Sequence, residues 1–269
     1  MPEPNKKGFL VETALLGQGL ISISNAQIMA KWPEDALVAW MQNGEIIIRS
    51  IEKFLVWREK SANWQRVDGL TLQTGMNAGF NAFLTASATM VVAWQSGYPI
   101  VVTAGMGGIG DIIGERLCYD LPALAKTEIT LVATSPKDML DIPTTIDWLH
   151  NNGVLTYGVG TEFCDGYVFS GHKTKLRQSL LKDGGYSLRP GHNLLLNPIP
   201  HEKRLTSPDF LKAAIQAGKL AEENGQPYHP AANRRLDELS QGWSSQIQFD
   251  SLLANIAVAR NIRVTPGRS

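Results

Sequence analysis

Short apolar runs rich in branched residues alternate along this chain with longer stretches whose apolar positions recur at helical spacing. "GFLVETAL" (8–15) predicts a strand, and "EIIIRSI" (45–51) a second. Between them, "NAQIMAKWPEDALVAWMQNG" (25–44) predicts a helix interrupted near Pro33. "MNAGFNAFLTASATMVVAWQSG" (76–97) predicts a helix with small packing residues that stops at Gly97. Further strands are predicted at "PIVVTA" (99–104), "EITLVATS" (128–135), "VLTYGVG" (154–160) and "NLLLNPIP" (193–200). "PTTIDWLHNNG" (143–153) predicts a helix ending at Gly153, and three helices close the chain at 207–225, 230–242 and 250–262.

Short apolar strands between helices imply an α/β fold. The expected sheet is mixed and partly parallel, covered by helices on both faces, with a helical C-terminal portion. No linker, low-complexity segment or repeat divides the sequence, so one domain is expected over 1–269.

Composition narrows the function classes. The 269 residues are 43% hydrophobic and 19% charged, an ordinary globular balance. Lys plus Arg and Asp plus Glu number 25 each, with no basic run, which argues against a nucleic-acid partner. The start "MPEPNKKGFL" lacks the apolar core of a signal peptide, and every apolar run falls short of the roughly 18 residues of a membrane span. Two cysteines, Cys118 and Cys164, are too few for a disulfide framework. A cytoplasmic protein with no membrane partner is the expectation.

One motif invites a cofactor. Gly105-Met106-Gly107-Gly108-Ile109-Gly110 is formally G-x-G-x-x-G, preceded by the strand "PIVVTA" and followed by "DIIGERLCYDLPALAK" (111–126), a candidate helix. Three features count against a dinucleotide. The motif lies deep in the chain; Asp111 would put a carboxylate where a pyrophosphate should sit; and no acidic residue ends "EITLVATS" to take a ribose hydroxyl. A structural glycine turn, or a backbone-lined pocket for another polar ligand, remains open beside the nicotinamide or flavin reading.

Several segments together resemble the pseudouridine-5'-phosphate glycosidase family, the indigoidine-synthase-A-like proteins. "TAGMGGIG" resembles the family's "ATGGIGG", "ATSPKDMLD" its "CAGAKSILD", and "TIDWLHNNGVLTYGVGT" its "TLEYLE-GVPVIGYGT". "LLNPIPHE" resembles "VANPIPE", "LLANIAVARNI" resembles "LAANIALVKNN", and "LVETALLGQG" resembles "ALESTIISHG". The matches keep their order over nearly the whole chain, and the seventeen positions from Asp120 to Lys137 equal the family's spacing from the last Asp of "DISAD" to its lysine. The glycines then read as the floor of a sugar-phosphate pocket.

The resemblance implies an enzyme that breaks or makes the C–C bond between ribose 5-phosphate and uracil or another heterocycle, through a lysine imine. Lys137 matches the imine-forming lysine and Glu12 the proton donor of "ALEST". Chemically, an amine following an apolar strand can lose its proton through burial, and a carboxyl inside a strand can gain one. The plain alternatives are a surface lysine and an exposed strand end. For substrate binding, Arg66 is matched to a family lysine, and Thr85 and Ala86 to the segment "TVAST". Gly107 and Gly108 stand in the glycine turn, and Cys118, Tyr119 and Asp120 fall at the end of "DISAD". Asn197 and Asn255 match asparagines of the C-terminal motifs, with helix capping or backbone bonding as their alternative.

The departures bear on the cofactor. The family holds manganese through the first Asp of "DISAD", and Arg116 occupies that position. An arginine cannot ligate a cation but suits phosphate, so Arg116 is expected to replace the metal, and the metal site is otherwise unknown. The family's "HGMPYPQN" is replaced by "QGLISISN". A homotrimer is the assembly the resemblance implies. Two other functions stay open: an inactive sugar-phosphate-binding homologue and a dinucleotide-dependent oxidoreductase.

Overall fold

The branched apolar runs of the sequence become neighbours in one ten-stranded sheet. A computed structural model describes residues 8–60, 64–113, 115–181 and 185–264; residues 1–7, read above for a leader, lie outside the described residues. The strand order is Gln178–Leu180, Leu155–Val159, Asn193–Leu196, Thr130–Ala133, Ile100–Val102, Phe9–Val11 and Leu37–Gln42, all parallel. Beyond it lie Ala82–Leu84, antiparallel to Leu37–Gln42, and Gln65–Val67, parallel to Ala82–Leu84.

Alternate residues of these strands serve two cores. Phe9, Val11, Val102 and Val132 face one; Leu10, Val101, Leu131 and Ala133 face the other. One face is closed by residues of Ile51–Arg58 and Trp243–Arg260, such as Phe54, Phe249, Leu252 and Ile256. The other is closed by Ala86–Gln95, Asp120–Lys126 and Ile142–Asn151, through Met90, Leu121, Leu124 and Ile146. Burial on both faces explains why the strands read as continuous apolar runs. The three expected C-terminal helices are Pro208–Glu223, Tyr228–Leu239 and Trp243–Arg260.

Three predicted helices need correction. The stretch 25–44 is helical only over Asn25–Lys31; Leu37–Gln42 is a central strand. It forms a hairpin with Glu45–Arg49 through Asn43 and Gly44, whose φ angles of 51° and 80° are those of a tight primed turn. In 76–97, Met76 and Asn77 end a separate helix, Leu72–Asn77, and the next helix starts only at Ala86, capped by Thr85, because Ala82–Leu84 is a strand. Of the described residues in 111–126 only Asp120–Lys126 are helical, and those before it run as a loop. Gly97 and Gly153 do follow their helices in the left-handed conformation, with φ of 79° at both.

One joint places the functional groups. Phe9–Val11 and Ala82–Leu84 meet end to end along the same edge of Leu37–Gln42. Thr13 closes the gap: its Oγ1 donates to the Ala39 carbonyl at 2.7 Å and accepts from the Leu84 N–H at 3.0 Å. The carboxyl ends of both strands, carrying Glu12 and Thr85, therefore converge. Here the strand order also reverses, with Leu37–Gln42 on one side of Phe9–Val11 and Ile100–Val102 on the other. In open α/β sheets such a point outside the carboxyl ends opens a crevice.

Candidate active site

Lys137 follows the strand Thr130–Ala133. The short bridge of Ser135–Pro136 with Gly105–Met106 sets its backbone, and its N–H donates to the Met106 carbonyl at 3.1 Å. The side chain is partly buried. Burial holds its amine below the ordinary 10.5 and the Arg66 guanidinium pushes the same way, while Glu115, Cys118 and Asp120 oppose without reversing the shift.

Glu12 shares a cavity with Lys137 and Arg66. Its carboxylate accepts from the N–H groups of Ala14 at 2.9 Å and Leu15 at 3.4 Å, and from the Thr103 hydroxyl at 3.3 Å. Only 5% of the residue is exposed. Burial raises its pKa above 4.5; Arg66, Lys137 and the Leu15 amide oppose, and Asp120 adds to the rise. An amine pushed down and a carboxyl pushed up thus face one cavity, a pairing suited to nucleophile and proton carrier.

Asp120 organises the floor. Its Oδ2 accepts from the Gly107 N–H at 2.8 Å and its Oδ1 from the Ser87 N–H at 2.9 Å. The glycine turn is thereby fixed to the start of the helix Ala86–Gln95. Gly107 admits no side chain, since a Cβ there would lie 2.1 Å from the Cys118 sulfur. Gly108 faces the helix Ile142–Asn151, where a Cβ would meet Thr145 Oγ1 at 2.6 Å, and the Ile109 N–H donates to that same hydroxyl. Amides that a pyrophosphate would need are committed to Asp120 and Thr145, so the loop does not support the dinucleotide reading.

The structure brings together Glu12, Arg66, Ala86, Asp120 and Lys137 in the main cavity. Thr85, Gly107, Cys118 and Tyr119 line an adjoining one that shares Arg66, Asp120 and Lys137. Burial pushes the Cys118 thiol up, so it stays protonated. Asn197 and Asn255 stand apart from both cavities. Asn255 is fully buried and clamps the last helix to the sheet, donating to the Thr103 carbonyl at 2.8 Å and Thr134 Oγ1 at 3.0 Å, while its own oxygen accepts from Asn197 at 3.1 Å. Gly108 packs rather than lines.

Arg116 is the main correction. It is exposed and lines neither cavity. Its neighbour Glu115 turns inward and meets buried His229 at 2.8 Å. The expectation of a cation-replacing arginine therefore does not hold at this position. Nor do the residues present fit the divalent ion that the resemblance implied. Among the described residues no group of three or more His, Cys, Asp or Glu side chains stands where it could hold a metal. Both oxygens of Asp120 are taken by backbone amides.

Residues absent from the sequence reading also line the main cavity, among them Thr103, Tyr167, Asn233 and Gln248. They come from four segments far apart in the chain and carry no motif; only Thr103, at the end of a predicted strand, had a local signal.

Comparison with known proteins agrees with this architecture. The profile of the family described as "Indigoidine synthase A like protein" matches residues 58–265. A pseudouridine-5'-phosphate glycosidase of Clostridium botulinum is 29% identical over 194 residues, covering 67% of this chain and 63% of that protein. One from Roseobacter denitrificans is 31% identical over 200 residues, covering 69% and 62%, and one from Kosmotoga olearia is 26% identical over 233 residues, covering 81% and 78%. The matched region thus spans less than two thirds of the length of the first two. Two solved structures share the fold at 19% identity. The prealnumycin C-glycosynthase AlnA, in complex with ribulose 5-phosphate, superposes with a TM-score of 0.72 over 94% of this chain and 91% of that one. An indigoidine synthase A-like protein of Thermotoga maritima gives 0.74 over 93% and 90%. No helix among the described residues is long and apolar enough to cross a membrane.

Proposed function

The chain belongs to the indigoidine synthase A-like family, and from that premise we propose that it is a C-glycosidase or C-glycosynthase acting on ribose 5-phosphate and a heterocycle. The observation that carries this reading is Lys137 and Glu12 sharing one cavity with their proton affinities shifted in opposite senses. The named activities of the relatives support it, and so does the sugar phosphate held by AlnA.

In the bond-making direction the neutral Lys137 amine attacks the aldehyde carbon of the open-chain sugar, and water leaves to give an iminium. That carbon accepts an electron pair from a nucleophilic carbon of the heterocycle, forming the C–C bond. The proton of the attacking carbon passes to a base, for which Glu12 is the candidate. The sugar 4-hydroxyl then displaces the lysine, closing the ring and restoring the amine. Cleavage runs the same steps backwards: the heterocycle takes a proton, the C–C electrons return to it, and the lysine nitrogen forms the C=N bond that water hydrolyses. Arg66 is the candidate for the phosphate, as the cation that touches both cavities.

Borohydride reduction in the presence of ribose 5-phosphate tests this. One sugar adduct is expected, mapped to Lys137 and absent from Lys137→Ala. Saturable sugar binding with no adduct would instead identify a binding homologue without turnover, and neither binding nor adduct would reject the reading.

A further inference from the structure

A buried titratable pair, His229 with Glu115, lines the adjoining cavity and has no part in the steps above. His229 is 5% exposed and stands in the first turn of the helix Tyr228–Leu239. It shares the adjoining cavity with Arg66, Asp120 and Lys137, and it shares a further cavity with Arg66, against Ile112 and Tyr228. Glu12 lines the main cavity and not the adjoining one. Lys137, which borders both, thus has a carboxyl in one cavity and an imidazole in the other.

The imidazole is held in one tautomer. A carboxylate only accepts, so the 2.8 Å contact with Glu115 puts the ring proton on Nε2 and leaves the lone pair on Nδ1. A carboxylate so placed also steadies the imidazolium that forms when the second nitrogen takes a proton. Tyr228 packs edge-on against the imidazole, with ring centroids 5.4 Å apart and planes at 82°. Tyr228 in turn lies against Gly218 of the helix Pro208–Glu223, where a Cβ would come within 2.5 Å of its ring. Burial, with the positive charges of Lys137 and Arg66, outweighs Glu115 and keeps the imidazole neutral at pH 7. On the same cavity wall Cys118 stays a neutral thiol, and Asp120 is tied to two backbone amides.

Resting on the reading of these cavities as a sugar-phosphate site, we infer that His229, positioned by Glu115, is the acid–base group that opens and closes the sugar ring. In a pentose 5-phosphate the ring oxygen O4 sits on C4, next to the carbon that bears the phosphate ester. A phosphate held by Arg66 therefore brings O4 to the side of the site where His229 stands. In ring opening the Nδ1 lone pair takes the proton of the anomeric hydroxyl, the C1=O bond forms as C1–O4 breaks, and the proton returns to O4. No proton is gained or lost, and the aldehyde that Lys137 attacks is produced in place. In ring closure after C–C bond formation, C1–O4 forms and C1–N breaks. The 4-hydroxyl proton then passes to Nδ1 and on to the departing Lys137 amine. A phosphate dianion on Arg66 offsets the charges that lower the proton affinity of the imidazole, so the group can both take and return a proton. Glu12 keeps the separate task of the proton on the heterocycle carbon.

Interconversion of the two furanose anomers of ribose 5-phosphate requires ring opening and no imine, so its rate, read by NMR exchange, isolates this step. Lys137→Ala cannot form the imine and is expected to accelerate the interconversion over protein-free sugar. Adding His229→Gln, which keeps an N–H for Glu115, should abolish that acceleration, a fall of up to roughly 10²- to 10⁴-fold. Ribose 5-phosphate affinity in calorimetry should change less than about threefold. Added imidazole should restore exchange when His229→Ala replaces His229→Gln. The unaltered protein and His229→Gln, read the same way, cover a Lys137→Ala chain that does not fold. No acceleration with His229 in place, full acceleration without it, or matching losses of exchange and affinity would overturn the inference. Borohydride trapping on the unaltered protein separates the two levels. An adduct on Lys137 with anomer exchange indifferent to His229 sinks the ring-opening role alone. Sugar that neither binds nor forms an adduct sinks the reading of the site, and the role of His229 with it.

Discussion

The carboxylate of Glu115 lies 2.8 Å from Nε2 of buried His229, across 114 positions of sequence. This single hydrogen bond ties the segment after the glycine turn to the first turn of the helix Tyr228–Leu239. It also places a negative charge beside Arg66 and Lys137, which line the same adjoining cavity. Burial lowers the imidazole to about 4; Lys137 and Arg66 add to this, and Glu115 opposes it. Glu115 is held down to about 2, since the bond to His229 and the charges of His229, Arg66 and Lys137 outweigh its burial. At neutral pH the bond therefore runs from a neutral imidazole N–H to a carboxylate.

The pH dependence of stability follows from the sign of the histidine shift. The folded pKa, about 4, lies below the ordinary 6.5, so the unfolded chain binds the proton more readily. The contribution is complete above pH 6.5 and is lost as pH falls toward 4, amounting to at most about 3 kcal/mol. His229→Gln keeps an N–H donor and removes the titration. Its melting temperature should fall less between pH 7 and pH 4.5 than that of the unaltered protein. Equal falls would assign the acid sensitivity to another group.

Glu12 gives the opposite sign. Its folded pKa is raised, so its contribution is present below pH 4.5 and is lost as pH rises through the folded value. Glu12→Gln retains an oxygen for the Ala14 and Leu15 amides and carries no charge to bury. At pH 8 it should melt above the unaltered protein, with the gap closing near pH 4, while turnover falls by roughly 10²- to 10⁴-fold. Borohydride trapping on Lys137 should survive. A lower melting temperature at pH 8 would mean that the carboxylate is charged and needed for the fold.

Much of the sheet was legible in the sequence, because strands buried on both faces must be apolar without interruption. The hairpin at Asn43-Gly44 carried its turn signal in plain view, but the apolar residues of 25–44 also fit a helical spacing, and periodicity alone could not divide them. The candidate site was legible where chemistry and motif coincide, at Glu12, Asp120 and Lys137. It was obscure where one residue of register decides which side chain turns inward. In the irregular loop before Asp120, adjacent charges point opposite ways, so a motif match landing on Arg116 missed Glu115. Tyr167, His229 and Gln248 reach the site only through tertiary packing.

That register decides which arginine is the candidate for a phosphate. Arg66 sits in the edge strand Gln65–Val67, beside the capping residue Thr85, whose N–H donates to the Val67 carbonyl at 3.0 Å. Its charge acts on Glu12, Lys137, Glu115 and His229, so it stands at the electrostatic centre of both cavities. Arg116 acts on none of them and faces solvent. A guanidinium engaging phosphate through charge-assisted hydrogen bonds is worth roughly ten- to a hundredfold in affinity. Arg66→Ala should therefore weaken ribose 5-phosphate by that factor and ribose much less, while Arg116→Ala changes neither by more than about twofold. With no carboxylate cluster among the described residues placed for a divalent ion, a chelator should leave ribose 5-phosphate affinity unchanged in calorimetry. If Arg116→Ala proves the damaging change, the loop before Asp120 must pack the other way round. If a chelator abolishes sugar binding and manganese restores it, Glu115 would have to leave His229 to serve as a ligand.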